Sequence, residues 1–115
     1  MTEPIFKVAP QRLWAEAEEA GSFAGAPVDL VDGFIHLSTA GQVRETARRH
    51  FAGQDDLVIV AVDPDRLGAG LRWEPSRGGA LFPHLYGELP TRAVLWTEVL
   101  PLGPDGRHVF PALAR

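Results

Sequence analysis

The sequence predicts one α+β domain, on two observations. A chain of 115 residues is long enough for one domain with its own core but short for two. Two stretches with helical periodicity precede most of the strand-like stretches, so helices and strands do not alternate regularly along the chain. We place the core of this domain at about residues 4–100 and assign residues 101–115 to a C-terminal tail.

The first predicted elements are a strand and a helix. Residues 5–9 are mostly apolar and lie between two prolines, which is typical of a short strand. Residues 11–20 change to a helical period, and Gly21 supplies a natural stop. The segment 22–32 has no sustained period, so it predicts a loop that leads into the next strand.

Residues 33–39 predict the strand around which a site forms. The alternation of side chains along a strand gives this stretch an apolar face and a second face with polar groups. The second face carries Phe34, His36 and Ser38. An imidazole and a hydroxyl on one face make this strand the first candidate for a ligand site.

A helix is predicted to follow this strand and to run to about Phe51. Ser38 or Thr39 is suited to the N-cap, and Gln42 stands three residues after Thr39, as a capping box requires. Unpaired N–H groups at the start of a helix attract negative charge. We therefore expect the ligand beside this strand to be anionic.

The second half of the chain predicts mainly strands. Residues 57–62 form a continuous apolar run, which indicates a central strand covered on both faces. Residues 63–65 predict a turn, and residues 71–74 a shorter strand that ends before a proline. Residues 93–100 give the last strand.

Two segments of this half predict irregular structure. Residues 81–87 are rich in aromatic and apolar side chains but contain a proline and a glycine, so we predict an ordered loop packed onto the site. In the tail, residues 103–106 predict a turn. The pair Val109 and Phe110 then docks on the domain or adds an edge strand.

The charge balance disfavours binding of nucleic acid. Lys and Arg total 11 and Asp and Glu total 15, which gives a formal net charge of -4 and a pI of about 5.5. Arg44 and Arg48 form a basic stripe on the second predicted helix. A phosphate contact is one interpretation of that stripe, but a solvated helix face is favoured.

The absence of cysteine excludes disulfides, thiolate nucleophiles and thiolate-bound metals. The first nine residues contain two charges and no long apolar run, so we do not expect a signal peptide. No stretch is apolar enough to span a bilayer, and we expect no membrane partner. These observations predict a cytoplasmic protein.

Eight side chains are candidates for binding or chemistry. The catalytic candidates are His36 and Glu74, and the ligand-binding candidates are Lys7, Ser38, Thr39, Trp73, His84 and Tyr86. Each type also occurs for structural reasons, since a single histidine in a strand is most often a hydrogen-bonded structural residue and a glutamate at a strand end is often only solvated. Histidines and the glutamate come from separate segments without the local spacing of a metal site, so no metal is predicted.

Three blocks of sequence resemble one family. They are Gly-Phe-Ile-His-Leu-Ser at 33–38, Trp-Glu at 73–74 and Phe-Pro-His-Leu-Tyr-Gly at 82–87, with an apolar strand before Asp-Pro between the first two. In this order they resemble the bacterial domain of unknown function family 952, over roughly Ile5 to Val99. The resemblance implies a fold like that of the ADP-ribosyltransferases, with a split, mostly antiparallel sheet, flanking helices and a cleft that holds NAD.

The resemblance also implies roles for the candidates. His36 and Ser38 would hold a ribose or phosphate, aromatic groups would stack on a base, and Glu74 would stabilise the cation formed when NAD is cleaved. Lys7 departs from the family, because relatives commonly carry a histidine at that position of the first strand. The resemblance thus implies NAD or a related nucleotide as the ligand. The reaction that it implies is ADP-ribosyl transfer or cleavage of the NAD glycosidic bond.

Two alternatives belong to other classes of function. The first is a ligand-sensing or protein-interaction module that retains the fold without catalysis, which the Lys7 departure favours. The second is a dimer-forming domain with the aromatic segment 81–87 as its interface. The oligomeric state stays open at this point.

Overall fold

The computed structural model describes residues 2–76 and 78–114 of the chain. Within them the strands are β1 Ile5–Pro10, β2 Ser22–Phe23, β3 Ile35–His36, β4 Ser38–Thr39, β5 Leu57–Val62, β6 Leu71–Ser76, β7 Ala80–Leu85, β8 Leu89–Pro90 and β9 Val94–Leu100. The α-helices are α1 Gln11–Ala20, α2 Pro27–Asp32 and α3 Val43–His50. Short 3₁₀ helices lie at Pro64–Arg66, Gly68–Gly70 and Thr91–Ala93.

The strands pair antiparallel in separate sheets. A four-stranded sheet has the order β4-β1-β5-β9, a three-stranded sheet has the order β3-β7-β6, and β2 pairs with β8. Helices and antiparallel strands in one domain confirm the predicted α+β class. In the part of the chain that the structure describes, no helix is long and apolar enough to cross a membrane.

Strand β5 lies inside the four-stranded sheet, between β1 and β9, and all of its residues are buried. Its side chains alternate between two apolar clusters, one on each face of the sheet. The prediction of a central strand covered on both faces is therefore confirmed. Leu113 of the tail is buried in the second cluster, where Phe110 also packs, so the tail docks on the domain.

The segment 22–32 contains regular structure, so the prediction of a loop is wrong for residues 22–23 and 27–32. Two residues pair with β8 as β2, and α2 follows. Pro27 opens this helix, and the Asp29 carboxylate accepts the N–H of Ala26 at 2.7 Å. A helix of six residues is too short to show a periodic pattern, which is why the sequence did not reveal it.

The predicted strand 33–39 is broken into two. Strand β3 belongs to the three-stranded sheet and β4 to the four-stranded sheet, with the buried Leu37 between them. The next helix begins later than predicted, at Val43, with Gln42 at the N-cap. The contact between Gln42 and Thr39 nevertheless forms in the turn before the helix, because the Gln42 Oε1 accepts the Thr39 N–H at 3.0 Å.

The prediction of a loop at 81–87 is wrong for residues 81–85. They belong to β7, the middle strand of the three-stranded sheet. The Pro83 carbonyl accepts the N–H of Leu37 at 3.1 Å, on the side away from β6. The nitrogen and carbonyl of one residue point to the same side of an antiparallel strand, so the Pro83 nitrogen, which has no hydrogen, also faces away from β6. The proline therefore removes no hydrogen bond from the β6–β7 ladder. Strand β6 continues through Pro75, which is acceptable at the edge of a sheet.

Candidate functional site

Two histidines face each other where β3 pairs with β7. His36 and His84 are direct partners in the register of these strands, and their ring centroids lie 5.7 Å apart. The ring of Phe34 packs against both, with centroid distances of 4.5 Å to His36 and 4.1 Å to His84. It also contacts Tyr86 at 5.3 Å. Phe34 thus joins two groups of hydrogen-bonded side chains, one around each histidine.

The first group is built around the Asp29 carboxylate, which is 2% exposed. Lys7 Nζ lies 2.9 Å from Asp29 Oδ2 and also donates to the His36 carbonyl at 3.1 Å. His36 donates its backbone N–H to Asp29 at 3.0 Å, and its ring Nδ1 lies 2.7 Å from the same carboxylate oxygen. A buried carboxylate with this many donors fixes α2, β1 and β3 relative to one another.

The His36 ring contacts a carboxylate at each nitrogen. Nδ1 contacts Asp29 at 2.7 Å and Nε2 contacts Asp32 at 2.9 Å. Because an ionised carboxylate only accepts, both contacts are hydrogen bonds only when both ring nitrogens carry a hydrogen. In that form His36 has no ring nitrogen left to accept a proton from a substrate.

The Asp29 carboxyl is strongly acidic in this environment. Burial by itself would raise its pKa, but hydrogen bonds from His36 and the charge of Lys7 outweigh that effect and lower the pKa to about 2. Burial lowers the pKa of Lys7, and the charge of Asp29 opposes this shift. Asp29 is thus ionised at neutral pH and provides the counter-charge for the buried ammonium group.

We expect Asp29 to make the fold sensitive to acid. Its pKa falls from the ordinary 3.8 to about 2 on folding, so the unfolded chain binds more protons than the folded one between these values. The contribution is present above about pH 4 and is lost as the pH falls, and it amounts to about 2 kcal/mol. Carbon-13 NMR of the Asp29 carboxyl measures the midpoint directly. A midpoint at or above 3.8 contradicts this assignment.

The second group surrounds His84. Its Nδ1 lies 2.8 Å from Glu74 Oε1, and the same oxygen accepts the hydroxyl of Tyr86 at 2.8 Å. The Arg72 guanidinium lies over the Tyr86 ring, 4.9 Å from its centroid. Hydrogen bonds from His84 and Tyr86 lower the pKa of Glu74, and the bond to Glu74 raises the pKa of the Tyr86 phenol.

The Tyr86 phenol offers a clean test of this second group, because the chain has one tyrosine. We expect the absorbance change of tyrosinate formation to occur above pH 10.0 in the wild type. Glu74→Gln should move it to lower pH, since the acceptor charge is removed. Asp32→Asn, which lies in the first group, should leave it unchanged. Identical midpoints in the wild type and Glu74→Gln would show that the Tyr86–Glu74 bond is absent in solution.

A cavity of about 500 Å³ opens beside the two histidines. We call it the histidine cavity, and its polar lining includes Lys7, His36, Ser38, Thr46, His50 and His84. Ser38 Oγ lies 2.9 Å from Thr46 Oγ1, which ties β4 to α3 along one wall. Phe6, Phe51 and Phe82 supply apolar surface. This volume and this mixture of surfaces are typical of sites for small organic molecules.

The family model described as "Protein of unknown function (DUF952)" matches residues 8–97. The chain belongs to this family. The sequence resemblance is therefore confirmed at the level of the family, whereas the relation to ADP-ribosyltransferases stays a prediction. Comparison with curated proteins gives no match.

Solved structures of CC0527 from Caulobacter crescentus are similar to this DUF952 chain. The crystal structure is 46% identical, covers 92% of this chain and 93% of its own, and superposes with a TM-score of 0.88. A methionine double mutant of CC0527 is 44% identical with the same coverage and TM-score. The solution NMR structure is 47% identical, covers 90% of each chain and has a TM-score of 0.81.

The DUF952 fold brings most of the predicted site residues together. Lys7, His36, Ser38 and His84 line the histidine cavity, and Glu74 and Tyr86 are bonded in the group around His84. Two candidates lie elsewhere. Trp73 is 45% exposed on the opposite face of β6 from Glu74, and Thr39 makes its described hydrogen bonds through its backbone to Gln42.

The sequence did not single out several residues that build the DUF952 site. Asp29 lay in the segment predicted as a loop, and Thr46 and His50 project from α3 into the cavity. The four-residue spacing of Thr46 and His50 places them on one helix face, which is a signal that sequence reasoning could have used. In residues 2–76 and 78–114, no group of three or more histidine, aspartate or glutamate side chains is arranged to hold a metal ion.

Proposed function

We propose that this DUF952 domain binds NAD or a related nucleotide in the histidine cavity and cleaves the bond between nicotinamide and ribose. The cleavage is common to ADP-ribosyl transfer and to glycosidic hydrolysis of NAD. One observation carries the proposal: His84 lines the cavity while Glu74 holds its Nδ1. The other ring nitrogen, Nε2, is then the atom that can exchange a proton with a bound ligand.

In this proposal His84 transfers a proton and Glu74 positions the His84 ring. A carboxylate bonded to Nδ1 fixes the tautomer and the orientation of the ring. In the proposed reaction the bond from C1′ to the nicotinamide nitrogen breaks, and nicotinamide leaves with the electron pair. Water or an acceptor hydroxyl forms the new bond to C1′, and its proton passes to His84 Nε2. Glu74 supports this step through His84.

The other predicted residues then bind and orient the ligand. Ser38 lines the cavity and offers its hydroxyl to ribose or phosphate oxygens, while His36, whose ring nitrogens already contact Asp29 and Asp32, forms the wall beside it. Phe6, Phe51 and Phe82 provide apolar surface for a base. A cytoplasmic location, where NAD is abundant, completes this proposal and is supported by the cysteine-free sequence.

A second candidate function is ligand sensing without catalysis. The observation that favours it is that Lys7 and His36 are already bonded to Asp29 and Asp32. Such groups can hold a ligand in place, but they are less free to move protons. The two candidates differ in turnover, not in the place of binding.

The experiment is a thermal-shift titration of the purified chain with NAD, ADP-ribose and nicotinamide, followed by an assay for released nicotinamide. A ligand that binds only the folded state raises the melting temperature. We expect a shift with NAD and ADP-ribose that His84→Ala abolishes and that His108→Ala, outside the cavity, retains. Binding without nicotinamide release selects the sensing module. A shift that survives His84→Ala but is lost in His108→Ala places the ligand elsewhere, and no shift at all overturns the proposal.

A further inference from the structure

A second cavity lies on the other side of α3 from the histidine cavity. It measures about 430 Å³ and shares none of its lining residues with the first. Helix α3 forms one wall through Arg44, Ala47 and Arg48, and the tail forms the other through Arg107 and Phe110. We call it the basic cavity. The function proposed for the histidine cavity gives the basic cavity no role.

The tail wall is held in a defined turn. Leu102 and His108 form a β-bridge, and the N–H of Gly103 donates to the Arg107 carbonyl at 2.7 Å. The ring of His108 donates from Nε2 to the Gln54 carbonyl at 2.8 Å, which ties the turn to the segment after α3. Arg107 is therefore presented from a fixed backbone, not from a loose end.

The charge of this cavity is positive in a chain whose formal net charge is -4. Three guanidinium groups and His108 line it together with one carboxylate, Glu45, which already pairs with Arg48 at 3.0 Å and with Arg49 at 3.6 Å. Neither Arg44 nor Arg107 has a carboxylate partner among residues 2–76 and 78–114. Two arginines from separate elements thus line one cavity without a carboxylate partner in the part of the chain that the structure describes.

The remaining lining is apolar. Ala47, Ala52 and Phe110 face the cavity, and the Arg44 guanidinium lies 5.2 Å from the centroid of the Phe110 ring. Stacking on an aromatic ring orients a guanidinium and leaves its N–H edge free to bond an anion. The forked donors of arginine match the oxygens of a phosphate group.

We propose that the basic cavity is a second ligand site, which binds the phosphate group of a small organophosphate with a compact apolar body. Arg44 and Arg107 hold the phosphate from opposite walls, and Phe110 and the two alanines contact the organic part. This assignment gives a role to the basic stripe of α3. It does not depend on the function of the histidine cavity.

The test is a calorimetric titration with phenyl phosphate, and with inorganic phosphate in parallel. The test variant is Arg44→Gln/Arg107→Gln, and the matched control is Arg12→Gln/Arg92→Gln, which removes the same charge from two exposed arginines outside the cavity. We expect saturable binding of phenyl phosphate that weakens by at least about tenfold in the test variant and stays unchanged in the control. Inorganic phosphate should bind more weakly than phenyl phosphate because it lacks the apolar body.

Three outcomes overturn the proposal. The first is the absence of saturable binding to the wild type. The second is an equal loss in the two double variants, which would reduce the effect to overall charge. The third is equal affinity for inorganic and phenyl phosphate, which would show that the apolar lining does not contact the organic part of the ligand. His84→Ala should leave phenyl phosphate binding intact. The proposal for the basic cavity and the proposal for the histidine cavity can therefore fail independently of each other.

Discussion

Asp29→Asn is expected to destabilise the domain by about 3–5 kcal/mol, the largest effect of any single change near the site. The substitution leaves the buried Lys7 ammonium, which is 4% exposed, without its counter-charge. It also replaces an oxygen that accepts hydrogen bonds by an amide nitrogen that can only donate them. Urea unfolding followed by fluorescence of the three tryptophans measures the loss.

A matched control and a rescue variant sharpen this prediction. Asp32→Asn also removes a carboxylate from His36, but the Asp32 side chain is 43% exposed, so we expect a loss of less than about 1 kcal/mol. Adding Lys7→Met to Asp29→Asn should recover part of the stability, because it removes the uncompensated buried charge. Equal losses for Asp29→Asn and Asp32→Asn would mean that the buried pair is not what holds α2 on β1.

Phe34→Ala is expected to cost about 2–4 kcal/mol and to release both histidines from their fixed orientation. The half-buried ring contacts His36, His84 and Tyr86 with centroid distances of 4.5 Å, 4.1 Å and 5.3 Å, so its removal takes away the contacts that join the two hydrogen-bonded groups. Urea unfolding measures the cost, and NMR of the histidine rings reports the orientation.

Phe34→Leu is the matched variant, since it keeps most of the volume and should lose less than about 1.5 kcal/mol. If Phe34→Ala unfolds at the same urea concentration as the wild type, then Phe34 does not hold the two groups together. In that case the bonds within each group fix the histidines independently.

Much of the fold follows from local sequence patterns. The apolar run 57–62 predicts a central strand, and burial on both faces is what such a run requires. Helix α1 follows from its period and ends at Gly21, whose φ of 88° suits glycine. Elements governed by distant contacts could not be predicted in the same way. Strand β7 contains a proline, and it forms because its partners Leu37 and β6 lie on the correct sides of it. These partners are distant in sequence, so no local pattern predicts the strand.

The candidate site was predictable in part for the same reason. The alternation of residues 33–39 placed Phe34 and His36 together, and the sequence block at 82–87 indicated His84. The sequence did not indicate Asp29 as a site residue, because its role depends on contacts with Lys7 and His36 that form only in the folded chain. The sequence also treated residues 33–39 as one strand, whereas they divide between two sheets, with the buried Leu37 between β3 and β4.

An NMR titration of the nitrogen-labelled chain with ADP-ribose shows directly whether the nucleotide binds in the histidine cavity. The signals to follow are the ring nitrogens of His36 and His84 and the side-chain nitrogens of Arg44 and Arg107. We expect both histidine rings to respond and to saturate along one binding curve, in the wild type and in Arg44→Gln/Arg107→Gln. Histidine rings that stay unchanged while ADP-ribose binds, or that change in the wild type but not in the arginine variant, would contradict binding of the nucleotide in the histidine cavity.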